Sequence, residues 1–203
     1  MKADWIAPKR TALLVIDCQV DFGAADGEMA RRGADMTAPL AALEEAQTLV
    51  DAARGAGVAV VFVRLITNPA GESTVIREAR ARQDEDGPDL CLEGTRGADF
   101  VGPQPLPGEM IVSKNRYSAF SHTGLGEQLH AAGVDTLVLA GLTTECCVAA
   151  SAWDAFERDF HVFIAANACA AYEEDLHSSA LKALALSGAT IASTSAFVDL
   201  WKN

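Results

Sequence analysis

The chain predicts an α/β fold built on a mainly parallel sheet, and three observations carry that expectation. Short apolar runs recur along the 203 residues, stretches of helical period separate them, and the runs are apolar throughout rather than alternating. Continuous runs mark strands buried on both faces, as in a parallel sheet covered by helices. Candidate strands lie near 11–17, 58–65, 110–114, 135–141, 161–166 and 189–193, with helical patterns near 38–56, 122–132, 145–158 and 173–187. Alternation of this kind implies right-handed crossovers within one domain spanning 1–203.

The first strand, Thr11-Ala12-Leu13-Leu14-Val15-Ile16-Asp17, ends in an aspartate, a residue that a buried run tolerates only with a partner or a task. A loop rich in Gly, Ala and charge follows from Phe22 to Met36, directly after Asp17. The second strand ends near Arg64, whose guanidinium is placed to grip a carboxylate or ureido group. From 68 to 107 the pattern reads as a short helix followed by a long surface loop that shapes a pocket or a subunit contact. The third strand, Met110-Ile111-Val112-Ser113-Lys114, ends in a lysine, and Tyr117 and Phe120 follow on the next turn as candidates to line a flat substrate.

The fourth strand holds Leu137-Val138-Leu139-Ala140. It passes through Gly141 and a Leu-Thr-Thr turn into a helix in which Val148, Ala152, Ala155 and Phe156 share one face. Cys147 therefore sits in a first helical turn, where unpaired N–H groups and the positive dipole end favour a thiolate. Cys146 is beside it, and the turn alone does not choose between them. Asp17, Lys114 and Cys147 all fall at the ends of strands, where sites form in open parallel sheets. A carboxylate to take a thiol's proton and a lysine to hold both charges is a chemically complete set for nucleophilic attack.

Composition narrows the classes further. A net charge of −12 excludes nucleic acid as an expected partner, and no apolar run reaches the roughly 18 residues needed to cross a bilayer. The opening MKADWIAPKR lacks the apolar core of a signal peptide, and five cysteines without paired spacing suit a reducing, cytoplasmic setting. His122, His130, His161 and His177 are scattered without ligand spacing, so neither a metal nor another cofactor is expected.

Three segments, LLVIDCQVDF, GEMIVSKNRYSAFSHTGL and LVLAGLTTECCVAASAWDA, together resemble the isochorismatase-like cysteine hydrolase superfamily, in matching order and spacing. The resemblance runs from about Thr11 to Phe197 and implies a three-layer α/β/α, Rossmann-like fold with a six-stranded sheet. It implies Asp17 as general base, Lys114 as companion cation and Cys147 as nucleophile, since the family's G-x-x-T-x-x-C-V pattern falls on Gly141, Thr144, Cys147 and Val148. It also implies a cis peptide between Leu142 and Thr143, an oxyanion hole from the N–H groups of Thr143 and Cys147, and an aromatic pocket residue at Phe22.

Metal-dependent nicotinamidases of the superfamily carry a D-x-H element after the second strand. Here that region reads VRLITNPAGES, so a metal-free site is expected. True isochorismatases lack the cysteine, and the pattern is most similar to the branch acting on carbamoyl, ureido or simple carboxamide compounds such as N-carbamoylsarcosine, ureidoacrylate, biuret and maleamate. The small-molecule reading stands beside two alternatives, an isochorismatase-type hydrolase and a non-catalytic binding member. Relatives also imply a homo-oligomer, a dimer or tetramer, for which Trp201 is a candidate interface anchor if exposed and a core residue if not. Asn167 departs from the family, which usually has an aspartate there.

Overall fold

Val, Ile, Leu and Ala dominate the central strands, which are buried on both faces in consequence, whereas the edge strand at 110–114 alternates exposed and buried residues. The computed structural model describes residues 1–68, 73–82 and 89–202. Its strands are β1 (Thr11–Ile16), β2 (Ala59–Leu65), β3 (Met110–Lys114), β4 (Thr136–Leu142), β5 (His161–Ala170) and β6 (Thr190–Ala192). They form one sheet in the order β3-β2-β1-β4-β5-β6, and every pairing is parallel. The helices are α1 (Val20–Gly23), α2 (Glu28–Arg31), α3 (Thr37–Ala56), α4 (Thr74–Arg82), α5 (Leu125–Ala131), α6 (Ala149–Phe156), α7 (Glu174–Leu186) and α8 (Thr194–Trp201).

Side chains alternate across the sheet and feed two cores. Leu14, Ile16, Leu137, Leu139 and Ile164 pack with Leu125 and Leu129 of α5 and Ala152 and Ala155 of α6. Leu13, Val15, Val138 and Ala140 pack with Leu43, Ala46 and Leu49 of α3 and with Phe197 and Trp201 of α8. Each buried aliphatic side chain stabilises the fold by roughly 1.5–3 kcal/mol, and the two cores hold the sheet from opposite faces. Trp201 is buried and its indole N–H donates to the Ile6 carbonyl at 3.1 Å, so it closes a core.

Several elements differ from the sequence reading: the expected helix near 122–132 is Leu125–Ala131, that near 145–158 is α6 after a separate turn, and α2 lies within the expected loop of Phe22 to Met36. Strand β1 stops at Ile16 because Asp17 turns to φ 49°. Strand β5 runs four residues past the expected 166, across a register shift opposite Leu139 and Gly141. The polar Asn167 masks that continuation in the sequence; its Oδ1 accepts from the N–H and hydroxyl of Thr194 at the start of α8. Helix α8 itself has no counterpart in the sequence reading; the Ser193 hydroxyl caps it by accepting from the Ala196 N–H.

Connections on the carboxyl side of the sheet build the site. The direction of winding changes between β1 and β4, which leaves a crevice at their carboxyl ends. Gly141, near the end of β4, has φ 126°, and a Cβ there would stand 1.9 Å from the Ile16 carbonyl oxygen. The ends of β1 and β4 can approach this closely only over a glycine. Gly141→Ala is expected to lower the urea unfolding free energy by about 3–5 kcal/mol. Gly133→Ala, at φ 78° with open space around it, should lower it by only about 1–2 kcal/mol; equal losses would contradict the close-approach account.

Candidate active site

Three strand ends converge on one ammonium group. Lys114 is the last residue of β3, Asp17 follows β1, and Cys147 lies in the turn after β4. Lys114 Nζ donates to Asp17 Oδ2 at 2.6 Å, to the Arg116 carbonyl at 3.1 Å and to Cys147 Sγ at 3.4 Å. A lysine has three N–H bonds to give, and all three are used. The side chains of Asp17 and Lys114 are both 0% exposed. Asp17 is fixed in turn by its N–H, which donates to the Val63 carbonyl at 2.9 Å on β2. Its Oδ1 is buried without a hydrogen-bond partner among the described residues.

The cysteine turn differs from the expected start of an α-helix. Thr144–Val148 form a π-helical turn, and the Thr143 carbonyl accepts from the N–H groups of Cys146 and Val148. The Leu142–Thr143 peptide is cis. Side chains brace the turn from two sides. Thr144 Oγ1 meets His177 Nδ1 at 2.8 Å, and Ser151 Oγ donates to the Cys147 carbonyl at 2.7 Å while accepting from the Ala119 N–H at 2.9 Å. Ser118 Oγ donates to Asp154 Oδ2 at 2.7 Å. The Ser118-Ala119 pair therefore clips the lysine's turn to the cysteine's helix α6, a role that only the three-dimensional pairing reveals.

Electrostatics follow from burial and from those contacts. Burial alone would pull the Lys114 ammonium down, but Asp17 and Cys147 outweigh it and hold the group up at about 12. The hydrogen bond with Cys146, burial and the Asp17 carboxylate push the Cys147 thiol well above its ordinary value, and Lys114 pulls against them. Cys18 and Cys91 are pushed up chiefly by burial, as is Cys169, which reaches about 12. Cys147 therefore stands in contact with the Lys114 ammonium, which favours its charged form, while Asp17 and burial oppose that form.

A cavity of about 460 Å³ opens over this cluster, and its lining includes Phe22, Tyr117, Thr143 and Cys147 of the expected site residues. Asp17 and Lys114 are buried and are not among its lining residues, and two of the expected substrate-binding residues are elsewhere. Arg64 Nε donates to Ser113 Oγ at 3.0 Å, across the β2–β3 ladder, and does not line the cavity. Phe120 is 2% exposed in the core, with its ring 5.9 Å from that of Phe160 and the Arg158 guanidinium over it. The aromatic spacing after Lys114 reads alike for a pocket and for a core, and the Ser118–Asp154 tie turns Phe120 inward.

Sequence reasoning missed Tyr172, Arg116 and Glu145 on the cavity wall. Tyr172 lies just beyond the end of β5, a position that strand-end logic could have flagged; its hydroxyl donates to the Phe22 carbonyl at 2.9 Å and so fixes the loop after β1. Met29 and Arg32 of that loop, with Asn68, Ile76, Arg80, Asp89 and Leu90 of the 68–107 segment, also line it. Residues 69–72 and 83–88 of that segment lie outside the described residues. Among the described residues no group of three His, Cys, Asp or Glu side chains is arranged to hold a metal ion.

The family profile described as Isochorismatase domain matches residues 11–196, and the chain belongs to the isochorismatase family. It is 31% identical to a ureidoacrylate amidohydrolase of Methylobacterium radiotolerans, over 86% of this chain and 72% of that protein. It is 34% identical to a maleamate amidohydrolase of Pseudomonas putida, over 85% of this chain and 78% of that protein. A solved isochorismatase family protein from Desulfovibrio vulgaris superposes with a TM-score of 0.81 at 29% identity, covering 96% of this chain and 100% of the other.

The direction in which Cys147 is displaced gives a test of the cluster. Asp17→Asn removes a group that raises the thiol and leaves the Lys114 cation, which lowers it. The pH midpoint for alkylation of Cys147 should move down, and the rate at pH 7 should rise about tenfold for every pH unit by which the midpoint falls. Iodoacetamide labelling read at the Cys147 peptide by mass spectrometry measures it, and an unchanged midpoint would contradict the coupling.

Proposed function

We propose that this protein is a cysteine-dependent amidohydrolase that cleaves a C–N bond of a small amide, ureido or carbamoyl compound through a thioester, releasing ammonia or an amine. The observation that carries the reading is one ammonium group bonded at once to Asp17 and Cys147 beside a cavity. The kinship with ureidoacrylate and maleamate amidohydrolases supports the same reaction class.

In the proposed cycle, Asp17 accepts the Cys147 proton through Oδ1, the oxygen not bonded to Lys114. Lys114 stabilises the emerging thiolate as the S–C bond forms. The carbonyl oxygen gains negative charge, and the backbone N–H groups of Thr143 and Cys147 are the proposed donors to it; loss of one such donor typically lowers turnover by about 10²–10³. Asp17 returns its proton to the departing nitrogen as the C–N bond breaks. Water then attacks the thioester, giving its proton to Asp17, and the thiol is regenerated as the acid product leaves.

Phe22 and Tyr117 are the proposed apolar walls of the pocket. No described helix is long and apolar enough to cross a membrane. Five free cysteines suit a reducing cytoplasm, where the proposed enzyme acts as one hydrolase domain per subunit of a homo-oligomer. An isochorismatase-type cleavage of a vinyl ether has no observation in its favour here, since it makes no use of the thiol.

Ammonia release from a panel of small amides, ureas and carbamoyl amino acids tests the proposal. Turnover should fall by about 10⁴-fold or more in Cys147→Ala, and wild-type turnover should survive chelation. Release that persists in the mutant, or stops with chelator, would overturn the thiol mechanism or its metal independence respectively.

A further inference from the structure

Charged groups at the cavity fall into two sets. Arg32 Nε is bonded to Glu28 Oε1 at 3.1 Å, Arg80 is paired with Asp89, and Lys114 is paired with Asp17. Arg116 has no such partner among the described residues. Its Nη1 donates only to the carbonyl and the side-chain oxygen of its neighbour Asn115, at 2.8 and 3.1 Å, and both are neutral acceptors. Nε and Nη2 make no hydrogen bond among the described residues, so one edge of the guanidinium is available at the cavity wall.

Glu145 presents the complementary case. Its Oε1 accepts from Thr143 Oγ1 at 2.8 Å, whereas Oε2 is buried with no hydrogen-bond partner among the described residues. A buried carboxylate oxygen without a donor is unfavourable and rare, so it calls for an explanation in the site's function. Glu145 lies two residues before Cys147 on the β4 side, and Arg116 two residues after Lys114 on the β3 side. Arg116, Glu145 and Cys147 line the same cavity, the first from the β3 side and the other two from the β4 side.

We propose that Arg116 and Glu145 are the specificity determinants of this site and select a ureido compound that also bears a carboxylate. This rests on the amidohydrolase reading and deepens it. Arg116 receives the carboxylate through its free edge, the geometry in which a guanidinium binds a carboxylate best. Glu145 accepts an N–H from the nitrogen that stays bonded to the carbonyl carbon. A ureido group has N–H on both sides of its carbonyl, so one nitrogen leaves with the proton from Asp17 while the other satisfies Glu145. A plain carboxamide has carbon on that second side and leaves Oε2 unpaired.

Three probes separate the two contacts: N-carbamoylglycine, with both groups; methylurea, lacking the carboxylate; and succinamate, lacking the second N–H. Wild type should prefer N-carbamoylglycine. Arg116→Gln should raise its KM about 10- to 100-fold, the range for a charge-assisted hydrogen-bond pair, with methylurea changed less than about twofold. Glu145→Gln should lower kcat/KM for N-carbamoylglycine about tenfold and leave succinamate within about twofold. Equal effects on both members of either comparison, or no effect, would overturn the assignment.

Calorimetric titration of the same three compounds into Cys147→Ala, alone and combined with each substitution, needs no turnover. If wild type releases no ammonia or amine from these probes or from the wider panel, the amidohydrolase reading fails by itself. The assignment then stands if binding shows the same pattern of losses, and falls if N-carbamoylglycine does not bind or its binding is indifferent to both substitutions.

Discussion

Everything at this site hangs on a fully buried ammonium group. Lys114 carries a charge into a place where an isolated cation would be prohibitively costly, and only its contacts with Asp17, Cys147 and the Arg116 carbonyl make the arrangement tenable. Replacing such a pair by apolar residues is often neutral or stabilising in other proteins, so the pair is poorly explained as a device for stability. It suits the proposed chemistry, in which a thiol passes its proton to a carboxylate while one ammonium group touches both. The sheet supplies the rest: parallel strands deliver all three groups to one edge because every strand ends on the same side.

Much of this is legible in the residues alone. Unbroken apolar runs such as Leu13–Ile16 and Leu137–Ala140 leave little choice but a parallel sheet, and an aspartate or lysine closing such a run calls for a partner, which each finds in the other. What the sequence does not display is direction and pairing. Arg64 and Phe120 have residue types suited to a pocket, but a ladder contact with Ser113 holds the one, and α6 draws the other into the core. Tyr172 and Glu145 are invisible for the opposite reason, because nothing local says that the end of β5 or the middle of a short turn will face the cavity. Asn167 hides half of a strand, since a polar residue inside an apolar run reads as an ending; its partner Thr194 lies 27 residues away.

The π-helical turn at Thr144–Val148 shows how local and long-range effects combine. An ordinary helix start satisfies the need for a cysteine near free N–H groups, and the sequence pattern after Val148 is that of an ordinary helix. The wider turn is held open from outside, by Thr144 on His177 and by Ser151 reaching both the Cys147 carbonyl and the Ala119 N–H. Wide turns of this type recur at functional sites.

The division of labour between strands and loops has a consequence for descent. Asp17, Lys114 and Cys147 belong to the frame, whereas much of the cavity wall is contributed by excursions at 22–32, 66–68, 76–80, 89–90 and 115–117. On the proposed mechanism, exchanging, lengthening or recolouring an excursion leaves the reacting groups untouched, so a lineage can change what it consumes without relearning how to consume it. Relatives that keep about a third of their residues in common can then share one reaction and diverge in diet, and the places to look for that divergence are the walls, not the floor.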